Sequence, residues 1–192
     1  MSSSRASVAA SLAVKAELHA DETLLARCDH VASVVVDALR GGGKVLFAGN
    51  GGSAADAQHL AAELSGRYAF DRPPLYAEAL HANSSYVTAV ANDYGYDVIF
   101  SRLVEGCGRE GDVFVALTTS GNSANLLNAA IEARARGLTV VGFTGSGGGK
   151  LKDLVDVLIN VPSDETPRIQ ECHIVLGHAI CEMVEAAMFT PS

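Results

Sequence analysis

Short apolar runs alternate with loops and helical stretches along much of the chain, and this alternation constrains the fold more than any other feature of the sequence. The first unit consists of an apolar run, a glycine turn and a helical stretch, at 44–48, 49–52 and 53–64. Ser53 is the expected N-cap of this helix. The same unit recurs at 113–117, 118–122 and 123–136, and a third begins at 138–149. Strands that alternate with helices in this way predict a parallel sheet with helices on both faces.

The remaining segments extend this α/β pattern. Further strands are predicted at 76–80 and 156–161, with a short helix at 84–90, so the sheet has about five strands. The first 40 residues contain no proline or glycine and carry spaced leucines and valines, which predicts two helices or one bent helix. An amphipathic helix is predicted at 165–189. The sequence therefore predicts a doubly wound, three-layer αβα sandwich with long helices at both termini.

Composition agrees with one globular domain over residues 1–192, made of a helical segment at 1–40, a core at 41–162 and the terminal helix. The chain has 22 acidic against 14 basic residues, and its net charge of -8 disfavours a nucleic-acid or anionic-membrane surface. The four cysteines form no C-x-x-C pair, so we expect free, mostly buried thiols rather than a disulfide framework. No apolar stretch approaches the roughly 20 residues of a membrane span. These features favour a cytoplasmic enzyme or binding protein.

The loop Gly49-Asn50-Gly51-Gly52-Ser53 lies between a strand and a helix, where backbone N–H groups and the helix dipole can face an anionic or polyhydroxy ligand. With Ala54 it also matches the dinucleotide pattern G-x-G-x-x-A. No acidic residue ends the next strand, however, which disfavours a nucleotide cofactor. A tight turn that uses glycines for positive φ and binds nothing is the alternative.

A second loop, 118–123, places the hydroxyls of Thr118, Thr119, Ser120 and Ser123 between a strand and a helix. Hydroxyls and the free N–H groups of a helix N-terminus are suitable donors to phosphate oxygens. An N-cap with an ordinary Ser/Thr turn would explain one or two of these hydroxyls, but four favour a phosphate site.

Candidate metal ligands and proton-transfer residues form two groups on predicted helices. His59 and Glu63 are four residues apart and share one helix face, which suits a shared metal ion or a proton transfer, although a solvent-exposed pair has the same spacing. The C-terminal helix carries Gln170, Glu171, His173 and His178. A hydrogen-bonded core histidine is the alternative for His178. Asn92 and Asp93 follow the short helix and either shape a turn or face the same crevice as the two loops.

Taken in order, these motifs resemble the sugar isomerase (SIS) family, and within it the phosphoheptose isomerases. The resemblance covers nearly the whole chain and implies a five-stranded parallel sheet with the flavodoxin-like topology of SIS proteins. It depends on the segments 49–59, 70–73, 91–95, 119–123 and 168–171, together with Glu63, His173 and His178. Position 118 is Thr where Ser is usual in the family, and this change keeps the hydroxyl.

The resemblance implies a cytoplasmic homotetramer that interconverts sedoheptulose 7-phosphate and D-glycero-D-manno-heptose 7-phosphate. It implies one zinc ion per subunit, with the metal ligands at His59, Glu63, Gln170 and His178, and an acid/base pair at Glu63 and His178. The implied substrate contacts are Asn50, Gly51, Gly52, Ser53, Glu63, Asn92, Asp93, Thr118, Thr119, Ser120, Ser123 and Gln170. No nucleic acid or membrane partner is implied.

Two other functions remain open at this stage. A non-catalytic relative of the same fold, such as the replication-initiator-associating proteins, would bind a phosphosugar or a partner without turnover. Such relatives lack the carboxylate and the histidine that this chain has at Glu63 and His178. An isomerase or a sensor that acts on another phosphosugar is the second alternative, because the phosphate loop is shared across SIS proteins.

Overall fold

The structure is a computed structural model that describes residues 3–190 and contains one five-stranded parallel sheet. The strands are β1 (Val45–Gly49), β2 (Ala77–Ala79), β3 (Val113–Leu117), β4 (Thr139–Thr144) and β5 (Val157–Asn160). Their order across the sheet is β2-β1-β3-β4-β5, which is the flavodoxin-like order. Val45 pairs with Val113, which in turn pairs with Thr139. The predicted parallel α/β sheet is confirmed.

Helices cover both faces of the sheet. They are α1 (Ser4–Ala20), α2 (Glu22–Arg40), α3 (Gly52–Ser65), α4 (Ser84–Asp93), α5 (Ile99–Cys107), α6 (Ala124–Ala135) and α7 (Thr166–Met188). The core on one face joins the sheet to α2, α3 and α7, and the core on the other face joins it to α5 and α6. Every residue of β1 and of β3 is buried, as expected of strands that are covered on both sides. No helix in the described part of the chain is long and apolar enough to cross a bilayer.

The N-terminal region forms two helices rather than one bent helix, and Asp21 separates them. Its backbone N–H bonds to Leu18 O at the end of α1, and its carboxylate accepts the N–H of Leu24 at 2.9 Å in the first turn of α2. One residue thus ends one helix and caps the next. The predicted limits of the domain, 1 and 192, lie outside the described residues.

Two details differ from the sequence-based predictions. The N-cap of α3 is Gly51 (φ 56°), so the prediction of Ser53 as the cap was wrong. Ser53 is buried because the chain folds back tightly, so that a Cβ at Gly49 would overlap the backbone of Ser53. Helix α4 continues to Asp93, which places Asn92 in its last turn instead of a bend beyond it.

Helix α5 was not predicted, although its sequence carries a helical signal. Its buried residues Ile99, Phe100 and Val104 recur at helical spacing. The prediction for the cysteines is confirmed, since all four are free. Cys28, Cys172 and Cys181 are buried and Cys107 is half-buried.

Candidate functional site

The first loop is held by amide hydrogen bonds at the carboxyl end of β1. Asn50 and Asn125 donate to each other's side-chain oxygens, at 2.9 Å in both directions. The hydroxyl of Tyr96 donates to the same Asn50 oxygen at 3.0 Å. Because Asn125 is buried, this network fixes the direction of the Asn50 side chain. Sequence reasoning missed both Asn125 and Tyr96, which are far from Asn50 in the chain.

Gln170 of α7 contacts the same loop. A Cβ at Gly52 would overlap the Gln170 amide, so only glycine permits this close approach at the start of α3. Gln170 precedes His178 by eight residues on α7, a rise of about 12 Å along the axis. Gln170 therefore lies against the first loop, about two turns from His178.

The second loop, residues 118–123, is called the hydroxyl loop here. The hydroxyls of Thr118 and Ser123 lie 3.3 Å apart. The side chain of Asn122 donates to Ser120 O at 2.8 Å and accepts the N–H of Lys150 at 3.1 Å, which ties the loop to its neighbour. Ser120 is exposed, and Thr119 and Ser123 are half-buried. The loop thus presents hydroxyls and a helix N-terminus at the carboxyl edge of the sheet, as a phosphate group requires.

His59, Glu63 and His178 meet in the groove between α3 and α7 and are called the helix cluster here. The Nε2 atoms of His59 and His178 are 2.8 Å apart, and Glu63 Oε1 is 3.3 Å from His59 Nε2. Two histidines that are 119 positions apart in sequence therefore face each other directly. The His59 side chain is 49% exposed and that of Glu63 is 22% exposed, so solvent and small ligands reach them.

The donor set of the helix cluster fits a divalent metal. The ligand atoms of its three residues lie within 4.8 Å of one another. Two imidazole nitrogens and a carboxylate oxygen are a common zinc set, and ligands of tetrahedral zinc are about 3.3 Å apart. The distance from Glu63 Oε1 to His59 Nε2 matches that spacing. The two Nε2 atoms would have to move apart by about 0.5 Å to reach it.

Asp56 lies one turn before His59 on α3 and was not assigned a role from the sequence. Its Oδ2 atom is buried and makes no hydrogen bond among the described residues. Burial raises the pKa of this carboxyl, and positive charge on His59 or His178 opposes that shift. An acidic group thus lies close to both histidines of the helix cluster.

The other predicted residues lie apart from the helix cluster. Asn92 and Asp93 are exposed and hydrogen-bond to each other at 2.8 Å. His173 is fully buried on the core side of α7, with Nε2 3.1 Å from Thr144 O, and burial lowers its pKa to about 4. It is a core histidine, whereas His178 lies in the groove.

Known proteins match this chain over most of its length. Two SIS domain profiles match residues 12–145 and 103–189. A phosphoheptose isomerase from Mycobacterium tuberculosis is 56% identical over 94% of this chain and 92% of that protein. One from Burkholderia pseudomallei is 53% identical over 95% of this chain and 93% of that protein.

Solved structures of phosphoheptose isomerases also match this chain over most of its length. Phosphoheptose isomerase GmhA from Neisseria gonorrhoeae superimposes with a TM-score of 0.89 at 43% identity. A phosphoheptose isomerase from Francisella tularensis gives 0.91 at 36% identity. Both matches cover 95% of this chain and 96% of the other. This chain belongs to the SIS domain family and, within it, to the phosphoheptose isomerases.

Proposed function

We propose that the protein is an aldose–ketose isomerase that converts D-sedoheptulose 7-phosphate to D-glycero-D-manno-heptose 7-phosphate, the first step toward nucleotide-activated heptose. The observation that carries this proposal is the meeting of Glu63 and His178, from two separate helices, in one groove. A carboxylate and an imidazole at this separation supply the base and the acid that the reaction needs.

The reaction moves two protons and needs no redox partner. Glu63 takes a proton from C1 of the ketose while His178 protonates the oxygen on C2, which forms a cis-enediol. His178 then takes the proton from the oxygen on C1 as Glu63 returns its proton to C2, and the aldose is formed. The hydroxyl loop binds the phosphate, and Asn50, Gly51, Gly52, Ser53, Asn92 and Asp93 contact the sugar.

Zinc is the metal that the donor set favours, with His59, Glu63 and His178 as ligands. The family resemblance adds Gln170 as a fourth ligand. When bound, a divalent ion polarises the carbonyl and orients the two oxygens as a Lewis acid. A carboxylate that binds a metal is a poorer base than a free one. Glu63 therefore has to be loosely coordinated, or change its coordination, during turnover.

The proposal includes a cytoplasmic homotetramer, as the family resemblance implies. Helix α1 supports association, because Val8 and Leu12 are more than half exposed on its surface. A non-catalytic role is not favoured, since the relatives that match over the whole chain are phosphoheptose isomerases.

The test is to incubate purified protein with sedoheptulose 7-phosphate and to measure aldoheptose 7-phosphate, with chelator and with added zinc. We expect turnover that depends on the metal in the wild type and is lost in His178→Gln. His30→Gln, at an exposed histidine of α2, is the matched control and should keep full activity. Absence of turnover under every metal condition would reject the isomerase proposal in favour of a binding role.

A further inference from the structure

A buried carboxylate on α7 anchors the loop that follows α3. Glu185 is 1% exposed and accepts the backbone N–H groups of Tyr68 and Ala69 at 2.9 and 2.7 Å. It also accepts Arg72 Nε at 2.9 Å. Burial acts to raise the pKa of Glu185, but these hydrogen bonds and the Arg72 charge hold the pKa below its usual value. The ion pair is therefore intact at neutral pH.

The remaining donors of Arg72 bind the C-terminal end of α3. Its terminal nitrogens donate to the backbone oxygens of Glu63, Leu64 and Gly66 at 2.8, 2.8 and 2.9 Å. The last carbonyls of a helix have no partner within the helix, and a positive charge there is favourable to the helix dipole. Arg72 thus joins the backbone of Glu63, whose side chain belongs to the helix cluster, to a carboxylate on α7.

Helices α3 and α7 also touch beside the histidines, where a Cβ at Gly177 would overlap the Leu60 side chain. Together with the contact between Gln170 and Gly52, this contact holds the first part of the interface between the two helices. Neither contact involves the last turn of α3, where Glu63 lies. The Arg72–Glu185 pair is about two turns further along α7, since Glu185 follows His178 by seven residues.

We propose that Arg72 and Glu185 are positioning residues that hold the last turn of α3 against α7, and thereby set the separation of Glu63 from His178. This role requires the forked guanidinium of Arg72, because its nitrogens bind three carbonyls at the end of α3 and a carboxylate of α7 at the same time. Where this inference concerns turnover it depends on the proposed isomerase function, whereas its consequence for metal binding does not.

The chain offers a matched control at the opposite end of the sheet. Asp112 is 2% exposed and accepts the backbone N–H groups of Lys44 and Arg109 at 3.0 and 2.8 Å. It also accepts the Lys44 ammonium at 2.5 Å. Asp112 therefore has the burial, the two backbone donors and the cation that Glu185 has, but it contacts neither α3 nor α7. Asp112→Asn reports the general cost of removing such a carboxylate.

The experiment compares Glu185→Gln, Arg72→Lys and Asp112→Asn at a temperature where circular dichroism shows all three folded. Zinc affinity is measured by competition with a chromophoric chelator, and kcat and KM are measured with sedoheptulose 7-phosphate. Loss of a group that orients a metal ligand lowers affinity or activity about 10–100-fold. We expect this loss in zinc affinity and in kcat for Glu185→Gln and Arg72→Lys, with KM changed less than about twofold. Asp112→Asn should lower the melting temperature but leave zinc affinity, kcat and KM unchanged.

The outcomes separate this inference from the proposed function. If Glu185→Gln and Arg72→Lys lose stability but keep the zinc affinity and kcat of Asp112→Asn, the pair is only structural and the inference is wrong. Weaker zinc binding in these two variants, in a protein whose wild type does not turn over the heptose phosphate, would support the inference and reject the isomerase proposal. Full retention of kcat in Arg72→Lys would also show that the forked guanidinium is not required.

Discussion

In the proposed function, the helix cluster and the hydroxyl loop act on a phosphosugar by different physical means. The hydroxyl loop consists of neighbouring residues, Thr118 to Ser123, and offers neutral donors at a helix N-terminus. The helix cluster joins titratable side chains from α3 and α7 that are 119 positions apart. Binding a phosphate needs many weak donors, which one loop can supply. Proton transfer needs two groups at a fixed separation, and only the tertiary fold supplies that.

We expect substitutions in the helix cluster to change kcat and substitutions in the hydroxyl loop to change KM. The largest effect is expected at Glu63. Glu63→Gln removes the proposed base, so we expect kcat to fall about 10³-fold with KM changed less than about threefold. Steady-state kinetics and circular dichroism together measure this. Glu182→Gln, at an exposed carboxylate one turn beyond His178, is the control and should retain kcat. Retained activity in Glu63→Gln would refute its role as the base.

His173 can be compared with His178 of the helix cluster, because it is on the same helix but on its core side. Its folded pKa of about 4 lies below the unfolded value of 6.5, so the unfolded chain binds a proton first as the pH falls. The stability contributed by neutral His173 is complete above pH 6.5 and is lost progressively between pH 6.5 and about 4. Between pH 7.5 and 5 the loss is about 2 kcal/mol.

Urea unfolding at the two pH values measures this loss. His173→Leu should lose about 2 kcal/mol less than the wild type on acidification, because leucine does not titrate. His30→Gln should follow the wild type. An equal pH dependence in wild type and His173→Leu would show that His173 is not held neutral by burial.

The sequence predicted the fold well because each element carries its own local signal. The buried run Val113–Leu117 was placed at its observed bounds, and the hydroxyl loop was recognised from adjacent residues. The helix cluster could only be proposed from a family resemblance, since nothing local relates His59 to His178. Ser53 was misassigned because its burial depends on a backbone reversal at Gly49 that sequence spacing does not reveal.

Long-range partners explain the other omissions. Asn125 is an ordinary polar residue in the sequence, and only the fold brings its amide against Asn50. Arg72 and Glu185 are likewise separated by 113 positions, so their ion pair at the end of α3 could not be inferred from either segment alone. Residues that bind through the backbone or through a distant partner leave no periodic pattern.

A smaller effect is expected from the hydroxyl loop. Thr119→Val removes one donor to the phosphate while keeping the shape of the side chain. A hydrogen bond to a charged group contributes about 1.5 kcal/mol, so we expect KM to rise about tenfold with kcat nearly unchanged. Thr139→Val, half-buried at the opposite end of the sheet, is the matched control and should leave both constants unchanged. A fall in kcat with KM unchanged would contradict the division between the two regions.

The smallest effect is expected where Tyr96 meets the first loop. Its hydroxyl donates to Asn50 at 3.0 Å, but Asn50 is also held by the buried Asn125 through two bonds, and Tyr96 is 53% exposed. An exposed hydrogen bond contributes about 0.5 kcal/mol, so Tyr96→Phe should raise KM about twofold. Tyr94→Phe is the control, because its ring stays 4.1 Å from the Arg102 guanidinium and its hydroxyl does not reach Asn50. If KM rises tenfold or more in Tyr96→Phe, Asn125 alone does not orient Asn50. The first loop would then depend on the exposed Tyr96 hydroxyl for its geometry.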